Sequence, residues 1–553
     1  MTNIVESTPI SETKASLIAE IEQRVQEKIL EPENAALLKK LIISADDNDE
    51  AHAIAALGTT YKRTGFHFDK RLEKNVMSDT IKYFAKNEKL SFGESKANEP
   101  IHKLIIGDNY DALNNLLIQY KGDIDVIYID PPYGKDSMGE FAKTNYTNSI
   151  TRDNLLSMLY FRLQIAKHLL SKRGVFFCSI DDKNQAYVKC LLDEIFGEKN
   201  FIGQLILKTA TDNNPSQITT EHEYMLCYAS NIKNQNKWIR VNRGAILIKE
   251  KYEEIKKTNP SIAEQQKMLR KWIKDNKDSL NGVAHYNNVD EHGVYSSSGN
   301  SSNPHPGGYE YLIIHPITKK PCPNPANGWR WPETTFWDYD RNGEILWGKD
   351  ETTQPHVKKR IETANENLRS LIYEDNRAAT QLLEKLFETK DLFSNPKPHN
   401  VLARILDFTT DTDSKILDFF AGSGTTGHAV LELNRLDNGK RTFILCQINE
   451  STEKTPNGIA YDVTSKRLKR IMTGECYDGN KSFRWAKENI PYGGSLDVYE
   501  IKEISCKNAV NGKTPFDVID ETLYGKDKLQ IIDKIDWVCS NFSHTRMVEP
   551  KEE

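Results

Sequence analysis

The sequence predicts an α/β fold: a mostly parallel, Rossmann-like sheet that is assembled from two separated halves. Between residues 101 and 230, short apolar runs typical of buried parallel strands alternate with helical periodicity. The same alternation returns between 389 and 490, after a long irregular stretch. Neither half contains enough strands for a sheet of its own, so one interrupted sheet fits the 553 residues better than two complete domains.

Each expected element follows from an apolar run or from helical spacing, and the alternation places helices on both faces of the sheet. The expected strands are Lys103–Ile106, Asp125–Ile129, Gly174–Ser179, Glu223–Tyr228, Ile416–Phe420 and Thr442–Ile448. The expected helices are Leu155–Leu169, Tyr187–Phe196, Thr425–Leu433 and Val463–Ile471.

Two further segments flank this sheet. Near the start, Leu17, Ile21 and Ile29 share one helical face, Pro32 is expected to end that helix, and Ala35–Ile43 resumes the period. The resulting division has five parts: an N-terminal helical extension (1–100), the first half of the sheet (101–230), an insert (231–388), the second half (389–490) and a small α+β appendage (491–553).

Composition excludes several classes of protein. With 74 Lys+Arg against 79 Asp+Glu, the net charge of −5 excludes a wholly basic nucleic-acid coat protein, although a local basic groove remains compatible with it. No apolar run reaches the roughly 18 residues of a membrane-spanning helix, and the N-terminus lacks a signal-peptide pattern. The eight cysteines are scattered, without zinc spacing. These observations predict a cytoplasmic protein with no metal centre and no membrane partner.

The insert is the basic part of the chain. Residues 231–280 carry 13 Lys+Arg and 6 Asp+Glu, a local charge of +7, and six of the eight tryptophans lie between Trp238 and Trp347. Cations and aromatic rings on long loops are typical of surfaces that bind nucleic acid. For any single tryptophan, packing in a small core is the more common role.

A glycine-rich turn begins the second half. Gly422-Ser423-Gly424-Thr425-Thr426-Gly427 runs from a strand into a helix and satisfies the dinucleotide fingerprint G-x-G-x-x-G. This motif alone is equally compatible with a nicotinamide enzyme, a flavin enzyme or a purely structural corner between strand and helix. The acidic residue that a dinucleotide site needs after the next strand is represented only by Gln447 or Glu450, which disfavours the nicotinamide interpretation.

An acidic, proline-stiffened turn follows the strand that ends at Ile129. Asp130-Pro131-Pro132-Tyr133 presents a carboxylate, a free carbonyl and an aromatic ring at the sheet edge where α/β proteins bind ligands. The Asp130 carboxylate and the Pro131 carbonyl can accept the two hydrogens of an amino group on a planar heterocycle, while Tyr133 stacks on the ring. Adenine N6 is such a group, and four matching residues in a row disfavour a turn without function.

Together these motifs resemble the β class of S-adenosylmethionine-dependent DNA amino-methyltransferases, over roughly residues 103–471. Gly107-Asp108-Asn109-Tyr110 is similar to that family's G-D-N segment, and Asn395-Pro396-Lys397-Pro398 is similar to its K-P segment. The resemblance implies a circularly permuted methyltransferase sheet with a catalytic half (101–230), a target-recognition region (231–388) and a cofactor half (389–490).

The resemblance also implies roles for individual residues and a cofactor. S-adenosyl-L-methionine would be the methyl donor, and the target base would be flipped out of the duplex. The catalytic residues implied are Asp130, Pro131, Pro132 and Tyr133. The cofactor-binding residues implied are Asp108, Lys397, Pro398, Asp418, Phe420, Gly422, Gly424, Thr425 and Glu450.

The chain further resembles the modification subunit of type III restriction-modification systems. The resemblance rests on its length, on the N-terminal extension and on two segments, Gly328-Trp329-Arg330-Trp331 and Gly458-Ile459-Ala460-Tyr461-Asp462. The implied partners are double-stranded DNA, a second copy of the chain and a separate helicase-nuclease restriction subunit, since this sequence has no ATP-binding P-loop. Asp130 favours adenine N6 over cytosine N4, because family members with serine there are often cytosine enzymes. Cytosine N4, a dinucleotide-dependent oxidoreductase and a non-catalytic DNA-recognition subunit remain the alternatives.

Overall fold

The computed structural model describes two compact units, residues 1–69 and 70–553. The described residues are 11–26, 30, 32–57, 80–93, 99–133, 151–208, 217–258, 261–277, 280, 282–375, 377–390, 392–393 and 395–505.

The first unit contains helices in its described part: α1 (Glu12–Gln26), α2 (Pro32–Ser44) and α3 (Asn48–Leu57). Leu17 and Ile21 are buried as expected, and they pack in an apolar core with residues of the other two helices. Ile29 lies outside the described residues. The expected break is present: α1 ends before Pro32, and Pro32 itself is the first residue of α2, where the helix requires no N–H donor.

The second unit holds the remaining described elements. Its strands are β1 (Thr80–Lys86), β2 (Ile101–Ile106), β3 (Ile124–Ile129), β4 (Leu170–Ile180), β5 (Phe201–Lys208), β6 (His222–Ala229), β7 (Ile239–Val241), β8 (Asn288–Asp290), β9 (Gly293–Asn300), β10 (Ile345–Leu346), β11 (His356–Arg360), β12 (Asn365–Asn367), β13 (Leu371–Tyr373), β14 (Lys415–Asp418), β15 (Thr442–Gln447) and β16 (Ser495–Ser505). Its helices are α4 (Asn109–Tyr120), α5 (Thr151–Leu169), α6 (Gln185–Phe196), α7 (Arg243–Thr258), α8 (Ile262–Asp275), α9 (Glu333–Arg341), α10 (Arg377–Phe387), α11 (His399–Thr409), α12 (Thr425–Asp437), α13 (Lys466–Thr473) and α14 (Arg484–Glu488).

One ten-stranded sheet organises this unit, in the order β1-β16-β2-β15-β14-β3-β4-β6-β5-β13. The six strands from β16 to β4 in this order are mutually parallel. β6 is antiparallel to both β4 and β5. The mostly parallel sheet with an antiparallel side agrees with the expected Rossmann-like class.

The two halves of the sheet join at the pairing of β3 with β14. Ile416 lies opposite Val126 and Leu417 opposite Ile127, in parallel register, although the two strands are far apart in the chain. All four side chains are fully buried, which explains why both strands are short, continuous apolar runs. The interrupted sheet predicted from the sequence is therefore the observed architecture.

Several strands differ from the sequence-based expectations. β1 and β16 belong to the large sheet, although the sequence analysis placed them in the helical extension and in the C-terminal appendage. They form its antiparallel edge and alternate apolar with polar residues, so they lack the apolar runs by which the central strands were found. β5 and β13 were also missed, since β5 contains Gly203 and β13 has only 3 residues. The domain boundaries themselves stay predictions.

Two expected elements end differently. β14 stops at Asp418, because the next two residues already form the turn that leads to the glycines. The helix expected at Val463–Ile471 is a π-helical segment, Ala460–Ser465, that continues directly into α13.

The insert forms smaller structures of its own. A four-stranded sheet, β10-β11-β9-β8, and the pair β12-β7 are accompanied by the helices α7, α8 and α9. Two local apolar cores stabilise them, one beneath α7 and α8 and the other around Trp329 and Phe336. In the described parts of the chain, no helix has the length and hydrophobicity needed to span a membrane.

Candidate active site

The turn Asp130-Pro131-Pro132-Tyr133, here called the acidic corner, lies at the carboxyl end of β3. Asp130 follows Ile129 directly, and Tyr133 turns back so that its hydroxyl donates a hydrogen bond to Asp130 Oδ1. The turn is fixed by the loop that follows the neighbouring strand β4, because Asn184 Nδ2 donates to the Tyr133 carbonyl at 2.9 Å and to Asp181 Oδ1 at 2.8 Å. Residues 134–150, which follow the corner, lie outside the described residues.

Lys397 reaches this same corner from the loop before α11. Its Nζ donates to the Tyr133 hydroxyl at 2.9 Å, lies 3.5 Å from Asp130 Oδ1 and is paired with Glu223 Oε2. Burial opposes the charge on Lys397, but the carboxylates of Asp130 and Glu223 outweigh it and raise the pKa of the ammonium group. Lys397 thus contacts the acidic corner, and Pro398 lines a cavity next to it. The cofactor-binding role expected for both residues stays a prediction.

Glu223 is a site residue that the sequence analysis missed. It lies near the start of β6, and its Oε1 is buried without a hydrogen-bond partner. Burial raises the pKa of this carboxyl group, and the ammonium group of Lys397 partly offsets the effect. The sequence does contain a signal for it: a carboxylate begins the predicted strand Glu223–Tyr228, which is otherwise mostly apolar. Burial of a carboxylate is costly unless the group is paired or has a function.

The glycine turn lies at the carboxyl end of β14. Gly422 and Gly424 have φ values of +51° and +80°, which favour glycine. A Cβ at Gly422 would lie 3.2 Å from the ring of Phe393, and one at Gly424 would lie 3.3 Å from Cγ2 of Thr464. These glycines therefore allow a close turn into α12 that other residues would distort.

Asp418 braces this turn from inside. Its Oδ1 accepts from the Phe420 N–H at 2.9 Å and its Oδ2 accepts from the Thr426 hydroxyl at 2.5 Å. Burial raises the pKa of Asp418 to about 7, against the effect of these two hydrogen bonds. The negative charge of Asp130 raises the pKa of Asp418 as well, by a smaller amount.

Gln447 and Glu450 occupy the end of β15 and the loop after it. Gln447 Oε1 accepts from the Gly422 N–H at 2.7 Å, so this side chain supports the turn. Glu450 is partly buried, and its carbonyl accepts from the Ile459 N–H at 2.9 Å. Of the two residues considered for an acidic role, only Glu450 has a carboxylate, and Gln447 is occupied with the turn.

Asp108 is held beside the same turn. It caps the N-terminus of α4 by accepting from the Tyr110 N–H at 2.8 Å, and Arg162 lies 3.3 Å from its carboxylate. The next residue, Asn109, donates to the Phe419 carbonyl at 2.8 Å and accepts from Arg162. The fully buried Arg162 thus connects the Asp108 segment to the glycine turn, a link that the sequence analysis missed.

The acidic corner and the glycine turn, together called the two corners below, lie at the same edge of the sheet. β3 and β14 are adjacent and parallel, so Asp130 and the turn that begins after Asp418 both lie where these strands end. This edge is the place where open α/β sheets bind ligands. The arrangement can hold a planar amine at one corner and a nucleoside-like cofactor at the other.

The tryptophans of the insert pack mainly inside it. Trp329 is fully buried and donates its indole N–H to the Tyr311 carbonyl at 2.9 Å. Trp331, Trp337 and Trp347 pack against the same core, which supports the packing interpretation for this group. The basic side chains of α7 and α8 lie mainly on the exposed faces of these helices, opposite a buried apolar stripe.

Comparison with known proteins agrees with this geometry. The sequence profile described as DNA methylase, which includes N6 and N4 enzymes, matches residues 124–457, and the chain belongs to this family. The expected S-adenosylmethionine-dependent DNA methyltransferase is thereby confirmed, and the oxidoreductase alternative is not supported. A second profile, described as an uncharacterised conserved protein, matches residues 14–126.

Individual relatives are more specific. The chain is 31% identical to the EcoP15I Mod subunit of a type III restriction-modification enzyme from Escherichia coli, over 83% of this chain and 74% of that protein. It is 30% identical to the StyLTI Mod subunit of Salmonella typhimurium, over 75% of this chain and 64% of that one. The solved structure of the cytosine-N4-specific PvuII DNA methyltransferase aligns with 67% of this chain and 92% of its own. The two sequences are 10% identical there, and the TM-score is only 0.33.

Proposed function

We propose that this chain transfers the methyl group of S-adenosylmethionine to N6 of an adenine in double-stranded DNA, as the modification subunit of a type III restriction-modification system. The observation that carries the proposal is the pairing of β3 with β14, which brings Asp130 and the glycine turn to one edge. The similarity to two type III Mod subunits supports the more specific assignment.

The acidic corner holds the base in this proposal. The Asp130 carboxylate and the Pro131 carbonyl accept the two hydrogens of the amino group and favour a pyramidal, more nucleophilic nitrogen. Pro132 keeps the turn stiff, and Tyr133 exchanges its contact with Asp130 for stacking on the flipped base. Asp130 also stabilises the positive charge that develops on nitrogen and accepts its proton. The ammonium group of Lys397 lies within ion-pair distance of the carboxylates of Asp130 and Glu223 and partly balances their negative charge.

The residues around the glycine turn fit a nucleoside-like cofactor. S-adenosylmethionine, when bound, supplies the electrophilic methyl group. Gly422 and Gly424 let the backbone approach the ligand closely, and Thr425 begins α12, whose free N–H groups suit an anionic end. Asp108, Phe420 and Glu450 surround the turn as contacts for the nucleoside part, whereas Asp418 acts by holding the turn in shape.

DNA recognition would belong to the insert, 231–388. Its exposed cations on α7 and α8 suit phosphate contacts, and base-edge contacts would select the target sequence. A base inside a duplex cannot reach the corner, so the target nucleotide must leave the stack. We further propose that the chain acts in the cytoplasm as a homodimer with a separate restriction subunit.

The product base tests the proposal. DNA from a host that expresses this chain should contain N6-methyladenine, because the carboxylate at position 130 favours adenine. Nucleoside mass spectrometry would detect it, and single-molecule sequencing would give the sequence around it. N4-methylcytosine in its place would support the cytosine alternative, and the absence of both would support a non-catalytic recognition subunit.

A substitution of Lys397 tests whether this residue acts in methyl transfer or in cofactor binding. Lys397→Met should lower kcat, because the loss of a charge-assisted hydrogen bond worth about 1.5–3 kcal/mol corresponds to roughly 10- to 100-fold. Affinity for S-adenosylhomocysteine should stay unchanged, as measured by calorimetry. Lys385→Met, which removes a half-exposed lysine paired with Glu488, is the control. Loss of cofactor affinity at an unchanged kcat would instead return Lys397 to the cofactor site.

A further inference from the structure

Behind the glycine turn lies a buried arginine that the proposed mechanism does not use. Arg467, on α13, is 1% exposed. One terminal nitrogen of its guanidinium donates to Ser423 Oγ at 2.9 Å and to Thr425 Oγ1 at 3.0 Å, and it lies 3.3 Å from the Ser423 carbonyl oxygen, a third acceptor. The other terminal nitrogen contacts His428 Nδ1 at 3.1 Å. Arg467 therefore connects the glycine turn to the first turn of α12.

This cation lacks a direct counter-charge. Among the described residues, Arg467 forms no ion pair: its guanidinium contacts Ser423, Thr425 and His428, and its Nε has no hydrogen-bond partner. Burial lowers the pKa of Arg467 to about 9, which leaves it charged at neutral pH. A buried charge without an opposite charge is costly, so an anion that binds close to Arg467 would offset part of that cost.

The side of Arg467 that faces His428 is already satisfied. Because an arginine can only donate, His428 Nδ1 must accept, and the hydrogen of the ring therefore lies on Nε2. His428 Nε2 then donates to the Tyr492 hydroxyl at 3.1 Å, which donates to Glu432 at 2.5 Å. Burial lowers the pKa of His428 well below its usual value, so this ring is neutral. The nearest carboxylate on this path is two hydrogen-bonding groups away.

On the side that faces the turn, the nitrogen of Arg467 has acceptors, but the two hydroxyl groups that accept from it keep a hydrogen to donate. The hydroxyl oxygens of Ser423 and Thr425 lie 3.2 Å apart, and each accepts from Arg467. At most one of their two hydrogens can be used between them. At least one hydroxyl hydrogen is therefore available to an acceptor beyond this pair, at the N-terminus of α12, where the helix dipole also favours negative charge.

We propose that Arg467 is a positioning residue for the anionic end of the methyl donor. It fixes the hydroxyls of Ser423 and Thr425 as donors and supplies the positive potential beneath them. S-adenosylmethionine has a single anionic group, its α-carboxylate, and this is the group that the turn would hold. The inference rests on the proposed function, since it concerns how the same cofactor binds.

Two ligands separate this role from general support of the turn. S-adenosylhomocysteine carries the α-carboxylate, whereas 5′-methylthioadenosine keeps the adenosine and the sulfur but has no carboxylate. Arg467→Met should weaken binding of S-adenosylhomocysteine by about 10-fold or more, the effect of losing a hydrogen-bond network to a charged group. Binding of methylthioadenosine should not change. Calorimetry on the full chain measures both affinities.

Arg470→Met is the matched control, because Arg470 lies on the same helix but contacts Leu386 and the ring of Phe387. It should change neither affinity. If Arg467→Met does not fold, the double variant Ser423→Ala, Thr425→Val should show the same selective loss. An equal loss for both ligands, or no loss for either, would overturn the inference. A wild-type chain that binds neither ligand would instead refute the proposed function itself.

Discussion

Asp130→Ala is expected to lower the rate of methyl transfer to DNA by at least two orders of magnitude while cofactor binding is retained. The variant removes the carboxylate that accepts an amino hydrogen and stabilises charge in the transition state, for which a loss of about 10²- to 10³-fold in kcat is typical. The cofactor contacts lie on the neighbouring strand β14 and in its turn, and Asp130 is not needed to shape them. Transfer of a tritiated methyl group to DNA measures the first effect, and calorimetry with S-adenosylhomocysteine measures the second.

The control for this variant is Asp182→Ala. Asp182 follows the next strand, β4, and accepts from the Tyr224 hydroxyl at 3.1 Å rather than from any group of the corner. It should methylate DNA at the wild-type rate. Methyl transfer by the Asp130→Ala protein at a rate near wild type would exclude the role assigned to Asp130.

Gly424→Ala should produce the complementary defect, a loss of cofactor affinity. At φ +80° a side chain adds roughly 1–2 kcal/mol of backbone strain. Its Cβ would also lie 3.3 Å from Cγ2 of Thr464, and the hydroxyl of Thr464 donates a hydrogen bond to the Gly422 carbonyl at 2.6 Å. We expect the affinity for S-adenosylhomocysteine to fall by about 10-fold or more. Equilibrium binding of DNA should be unaffected, and this serves as an internal check.

Gly479→Ala is the matched control for this strain. Gly479 has a similar φ of +84°, but a Cβ there would meet no atom within 4 Å. Both variants carry the cost of a left-handed alanine, and only Gly424→Ala disturbs the turn. Equal cofactor affinities for the two variants would contradict the proposal that this turn binds the methyl donor.

The parts of the fold that could be predicted are those with strong local patterns. The central strands β3, β4, β14 and β15 are buried on both faces, so they appear in the sequence as continuous apolar runs. β1 and β16 form an edge with alternating residues, and their pairing joins segments that are about 400 residues apart in the chain, Thr80–Lys86 and Ser495–Ser505. Such long-range pairing leaves no local signal, which is why both strands were assigned to flanking segments.

The same distinction applies to the candidate site, where residues in local motifs could be predicted and residues placed by long-range contacts could not. Asp130 and the glycine turn were found because turns of unusual composition follow predicted strands. Lys397 was found as a motif, but its position depends on the path of the loop before α11, which sequence spacing does not determine. Glu223 and Arg467 were missed as site residues because each lies within a regular element and acquires its role only from partners distant in the chain.

The most direct test of the central claim is the structure of the Asp130→Ala chain bound to S-adenosylmethionine and to a duplex carrying its modified sequence, as read from methylated host DNA. The two corners should hold the cofactor and a flipped adenine in one cleft, with the methyl carbon and N6 about 3–3.5 Å apart, the separation of reacting atoms. A cofactor bound away from the glycine turn, or a flipped base outside the corner at position 130, would contradict the account.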